Sequence, residues 1–204
     1  MVKKVVLTAV LALSVSSGVF ADDWTGRLFN IKSGPTTQNG VLFVDLGYIF
    51  QYLAMGGFGL GAGWEQKINK NWTWLINGSF GLYSHDYGIA KYDAFEVGGE
   101  VNGRYYFFGS AVDKLFFNFG LGFTYASWTY KFDEDGRDDK TYGWGALTIP
   151  LYVGWKFIIG PGFVAELDLG YRVGVGLFKP SSIYGSDNPG FGGLLYGLRL
   201  GWAF

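Results

Sequence analysis

Cysteine is missing from all 204 residues. That excludes disulfides, thiolate metal sites and a cysteine-borne lipid anchor. Long apolar runs are missing beyond the N-terminal stretch, so no α-helical membrane span is expected. Met1 to Ala21 itself reads as a secretory signal: Lys3 and Lys4, the apolar run Val5 to Val15, then Val19-Phe20-Ala21 as a small-x-small cleavage site. That run is too short to span a bilayer as a helix. A strong charge of either sign is missing as well. Without Lys3 and Lys4 the basic residues fall from 16 to 14 against 17 acidic ones, a net charge of −3. So mild a balance argues against a nucleic-acid partner.

What is abundant is glycine, at 34 residues, and aromatic side chains, at 20%. The glycines follow no collagen-like period, so their excess needs another cause. The last stretch, Phe191 to Phe204, supplies it. Leu194, Tyr196, Leu198, Leu200, Trp202 and Phe204 are large and apolar; between them stand Gly193, Leu195, Gly197, Arg199, Gly201 and Ala203. A period of two is a strand. A soluble half-buried strand turns bulky polar residues to solvent, whereas here the second face is small with one charge. Glycine and arginine suit the crowded interior of a narrow barrel, with the apolar face turned to lipid.

The same alternation recurs upstream. It predicts strands at Val41 to Leu53, Phe58 to Ile68, Trp72 to Tyr83, Ala94 to Phe108, Leu115 to Tyr130, Trp144 to Ile158 and Phe163 to Phe178. On the first, Leu42, Val44, Leu46, Tyr48, Phe50 and Tyr52 are expected outward. Pro150 cannot donate to a ladder, so a bulge or offset is expected there. With the last stretch the count is eight, an even number that lets an up-and-down antiparallel barrel close. Each strand has room for the roughly 9–11 residues that a tilted crossing needs. Connections near Asn69, Ser110 and Gly160 are short, while Ser84–Asp93, Lys131–Gly143 and Lys179–Gly190 are longer. The one near Ala54 breaks this alternation. Aromatics at Trp64, Trp72, Trp74, Tyr105, Phe107, Trp155, Trp202 and Phe204 gather at the short-turn end, as an interfacial girdle would. The expected organisation is therefore a signal peptide over 1–21, a polar leader over 22–40, and an all-β transmembrane barrel over 41–204.

The closing strand, ending in register on Phe204, resembles the C-terminal signature of bacterial outer-membrane β-barrels. Val41 to Phe204 as a whole resembles the small eight-stranded outer-membrane proteins of the OmpA-barrel, OmpX and OmpW kind. The resemblance implies residence in the bacterial outer membrane, contact with its lipid, and recognition of the last strand, with Trp202 and Phe204, by the barrel-assembly machinery.

The inward positions carry Asp45, Glu65, Glu96, Glu100, Arg104, Lys156, Glu166, Asp168, Arg172 and Arg199. Charges inside a narrow barrel must be paired or they cost heavily in desolvation. Aligning strand ends sets Asp45, Arg199 and Asp168 at similar heights, with Arg104 and Glu100 level or higher and Arg172 above them. A structural network filling the lumen is the leading reading. An ion-selective, porin-like channel for ions or small solutes is the alternative, favoured by the inward glycines. Ser84-His85-Asp86 contains the only histidine and the residue types of nucleophilic catalysis. Some barrels of this size modify lipid A, but three consecutive residues cannot converge on one another. No enzyme is expected, and no cofactor. The acidic run Asp133 to Asp139 holds oxygen ligands for calcium, yet lacks the spaced closing glutamate of an EF-hand. A solvated loop is expected there, with loops free to meet extracellular partners. Gly57-x-Gly59-x-x-Ala62 opens no helix and continues the period of two, so it is no dinucleotide fingerprint. A soluble ligand-binding barrel is disfavoured, because such barrels keep their bulky apolar residues inside.

Overall fold

The computed structural model describes residues 37–54, 56–86, 90–108, 111–132, 139–178 and 191–204. The proposed signal peptide, the leader up to residue 36, most of the acidic run and the stretch Lys179–Gly190 lie outside the described residues. Eight antiparallel strands close into one barrel in chain order. They are β1 (Gly40–Asp45), β2 (Phe58–Lys67), β3 (Trp72–Asp86), β4 (Ala90–Tyr106), β5 (Lys114–Phe132), β6 (Lys140–Ile159), β7 (Phe163–Phe178) and β8 (Phe191–Ala203). The seam is set where Val41 faces Ala203 and Asp45 faces Arg199. Beyond it the backbone of Phe204 completes the closure: its carbonyl accepts from Asn39 N–H at 2.6 Å and Gly40 N–H at 3.1 Å, and its N–H donates to the Gly40 carbonyl.

The period of two sorts the side chains as a barrel requires. Large apolar residues such as Leu121, Val153, Leu169 and Val175 stand exposed on the outside. The charged residues Glu65, Arg104, Lys156 and Glu166 are buried within. Around the short-turn end the outer aromatics meet edge to face, Trp64 with Trp74 at 4.9 Å between ring centres and Trp72 with Tyr105 at 5.1 Å.

Several expectations are corrected. The first strand does not run to Leu53: it stops at Asp45, and Leu46–Ala54 form a helix, α1. Asp45 is its N-cap, its Oδ1 accepting from the Tyr48 N–H at 3.1 Å. At the other end Gly56 takes φ 79°. Its N–H donates to the Leu53 carbonyl at 3.1 Å, and the Gly57 N–H to the Tyr52 carbonyl at 2.8 Å. That is the paired closure of a Schellman cap. The short link near Ala54 is thus the end of a helix rather than a hairpin loop. Tyr48 and Tyr52, expected outward, turn into the lumen, while Phe50 stays exposed. Space for Tyr52 comes from Gly59 and Gly81, where an added Cβ would collide with its ring. Gly81→Val is therefore expected to destabilise the protein by about 1–3 kcal/mol through overpacking. Hydrogen exchange should quicken across Leu46–Ala54 while the β5–β6 ladder stays protected.

The hairpins are also longer than expected. β3 runs through Ser84 to Asp86 and β4 begins at Ala90, so most of Ser84–Asp93 is strand. β5 and β6 extend to Phe132 and from Lys140, shortening the anticipated Lys131–Gly143 loop. The Pro150 expectation is half right. Pairing of β5 with β6 lapses opposite Pro150 and resumes in the same register, with Phe119 on Leu151 and Gly122 on Thr148. The register shift falls instead between Gly145 and Ala146, against β7.

Candidate functional site: a lumen sealed at one end

The short-turn end is closed by an apolar floor of Val41, Phe43, Leu75, Val112, Val164 and Ala203. Val112 comes from the turn before β5. That turn is held beneath the mouth by the Ala111 N–H donating to the Lys70 carbonyl at 3.0 Å. Val112 keeps φ 70°, a strained backbone for a β-branched residue.

On this floor rests a dry ionic layer. Arg104 donates through Nη1 to Glu65 Oε2 at 2.9 Å. Both its terminal nitrogens reach Glu166, at 2.9 and 2.8 Å, and its Nε donates to Asn118 Oδ1 at 2.9 Å. Its guanidinium lies 4.4 Å from the centre of the Phe116 ring. Lys156 pairs with Glu65 and, at 3.0 Å, with Glu166. The Tyr106 and Thr73 hydroxyls each donate to Glu65 Oε1 at 2.6 Å. The planar fork of Arg104 suits two carboxylates at once, which a point-charge ammonium could not serve as well.

Arg199 couples this layer to the next. It reaches Asp45 at 3.2 Å, Glu166 at 2.6 Å, and Asp168. Residue heights explain the extra partner: Arg199 lies directly opposite Glu166 on β7, while Asp168 is opposite Gly197. Arg104, expected level with Arg199 or higher, shares Glu166 with it in the deep layer. Further out, Arg172 pairs with Glu100, which also accepts from the Tyr152 hydroxyl at 3.1 Å. Glu96 accepts from the Tyr48 hydroxyl at 3.2 Å and the Tyr52 hydroxyl at 3.0 Å. So the ten charges anticipated in the lumen form a joined deep group, one pair above it, and Glu96 with two tyrosines. Tyr48 and Tyr52 were missed because they come from the helix. Tyr106 and Tyr152 are readable from strand parity, as inward residues of β4 and β6.

Above the ionic layers the lumen opens into a cavity of 230 Å³. It extends to Leu194 and Tyr196 on β8. Beyond Asp45 that strand has α1 beside it rather than β1.

The outer candidates are not assembled into a centre. Ser84 and His85 are neighbours on β3, so their side chains leave opposite faces. The Ser84 hydroxyl donates to Asp93 at 2.7 Å, and the His85 ring stacks on Tyr83. Among the described residues there is no group of three or more His, Asp or Glu able to hold a metal ion. Residues 133–138 of the acidic run lie outside the described residues. Trp202 and Phe204 point outward at the seam, exposed, one residue apart.

Fold and lumen define a closed eight-stranded antiparallel barrel whose interior is an ionic plug beneath an open cup. No protein-family model matches the chain, and no curated protein matches it. Among solved structures it is similar to the crystal structure of the N-terminal β-barrel domain of Pseudomonas aeruginosa OprF, with 17% identity and a TM-score of 0.41. That similarity covers 82% of this chain and 98% of the other.

Proposed function

We propose that this chain is an integral outer-membrane β-barrel that serves as a non-conducting membrane anchor, presenting its long hairpins outside the cell. The observation that carries the closed state is the layer of Glu65, Arg104, Lys156 and Glu166, all essentially inaccessible to water, on an apolar floor. A hydrated ion has no path through such a layer without breaking buried ion pairs. The membrane reading is supported by the apolar outer face and the aromatic band at the short-turn end. In water so large an exposed apolar surface would be a liability. The hairpins are supported by strand length: β5 has 19 residues and β6 has 20. About 9–11 suffice to cross, so the excess rises past the hydrocarbon. Recognition of the β8 terminus by the assembly machinery belongs to this reading, as do extracellular partners of the hairpins. The reading assigns no catalytic residue.

Planar-bilayer recording of the refolded protein tests the closed state. The expected result is a silent bilayer with wild-type protein. Discrete, reproducible wild-type channels would overturn the anchor in favour of a narrow channel for ions or small solutes.

A further inference from the structure

We propose that the 230 Å³ cup above the ionic plug is a binding site for a small organic cation carrying an ammonium group. Four carboxylates line it, from Asp45, Glu96, Glu100 and Asp168, against two guanidinium groups, from Arg172 and Arg199. The site is therefore net negative even with every lining arginine counted. Two of its acids have capacity left over. Glu96 receives two neutral hydroxyls and, among the described residues, no cation. Asp168 is only 7% exposed, and its Oδ1 has no hydrogen-bond partner among the described residues. A buried acceptor without a donor is costly, and a ligand N–H repays that cost.

The rest of the cup selects the kind of cation. Rings of Tyr48 and Tyr152 share the lining, and aromatic faces attract organic ammonium groups. Further out, Tyr92 and Tyr130 meet at 5.1 Å on the inward face of the extended hairpins, continuing an aromatic wall above Glu96. Among the described residues no three acids or histidines converge as a bare metal ion would need. The volume is below the roughly 300–1,000 Å³ of pockets for drug-sized ligands, so the guest is small. This inference goes beyond the anchor reading and does not rest on it. A conducting barrel would fail the bilayer test and leave the binding test below untouched.

The test is calorimetric titration of the folded full barrel in detergent micelles with n-butylammonium and with the diamine putrescine. Matched probes are 1-butanol, butyrate, potassium and magnesium. Saturable binding of the two ammonium compounds, with the matched probes at least tenfold weaker, is the expected outcome. Glu96→Gln should weaken ammonium binding about ten- to a hundredfold, the loss of one charge-assisted hydrogen bond. That variant gives up no ion pair, and its folding is checked by gel mobility before and after boiling. Thr124→Phe keeps every charge and fills the cup, and it should abolish saturable binding; it serves if Glu96→Gln does not fold. The proposal is overturned by absent ammonium binding, by equal binding of any matched probe, or by unchanged affinity in a folded variant.

Discussion

Arg104→Ala should lower unfolding free energy by about 3–5 kcal/mol, the usual result of breaking a buried ion pair from one side. The effect belongs at the upper end, because this guanidinium is wholly inaccessible to solvent and serves Glu65, Glu166 and Asn118 together. Its removal leaves Glu65 with Lys156 as its cation, and Glu166 with Lys156 and Arg199. Arg104→Lys should recover part of the loss, since an ammonium keeps the charge but not the bidentate fork. Urea unfolding in detergent or vesicles reads these differences. Lys131→Ala, which removes one of two exposed lysine partners of Asp93, should leave the midpoint where it was. Conductance adds an independent reading. If the ionic layer is what closes the barrel, Arg104→Ala is the variant in which current should first appear. A variant with wild-type stability and a silent lumen would show that the layer neither holds nor seals the structure.

Leu121→Arg should cost about 2–4 kcal/mol in a bilayer, as charges do near the midplane of a lipid-facing strand. The contrast with an aqueous setting makes the experiment decisive. Leu121 is 68% exposed, and an exposed surface substitution on a water-soluble barrel would change stability by less than about 0.5 kcal/mol. Measuring the folding free energies of wild type and Leu121→Arg in vesicles separates the two cases. Equal folding free energies for wild type and Leu121→Arg in vesicles would remove the membrane from the account and leave only a barrel.

The alternation of side chains determined most of this architecture without help. Seven of the strands lie where a period of two places them, because a barrel wall offers every residue one of two faces. Inward charges such as Glu65, Arg104 and Glu166 were legible for the same reason. The exception is instructive. Leu46 to Tyr52 alternates as a strand would, yet it also sets Tyr48 and Tyr52 four residues apart on one helical face. The signals that favour the helix, an N-cap aspartate at Asp45 and an αL glycine at Gly56, were present in the sequence. The period of two that this segment shares with seven others favours a strand instead. What separates the two readings is tertiary: Gly59 on β2 and Gly81 on β3 leave a hollow that the Tyr52 ring fills only from a helix.

Which charge meets which was legible only in part. Strand ends set Asp45 and Asp168 level with Arg199, and Arg199 reaches both. The bond from Arg104 on β4 to Glu166 on β7 crosses the lumen, and no ladder register relates those two strands. The division into a sealed floor and an open cup has the same origin. A turn residue, Val112, is folded under one mouth, and a helix stands in for half a strand near the other. Periodicity reports which face a residue takes, since that depends on its own strand alone. Depth, partners and closure depend on how far opposite walls approach, and only the folded barrel sets that distance.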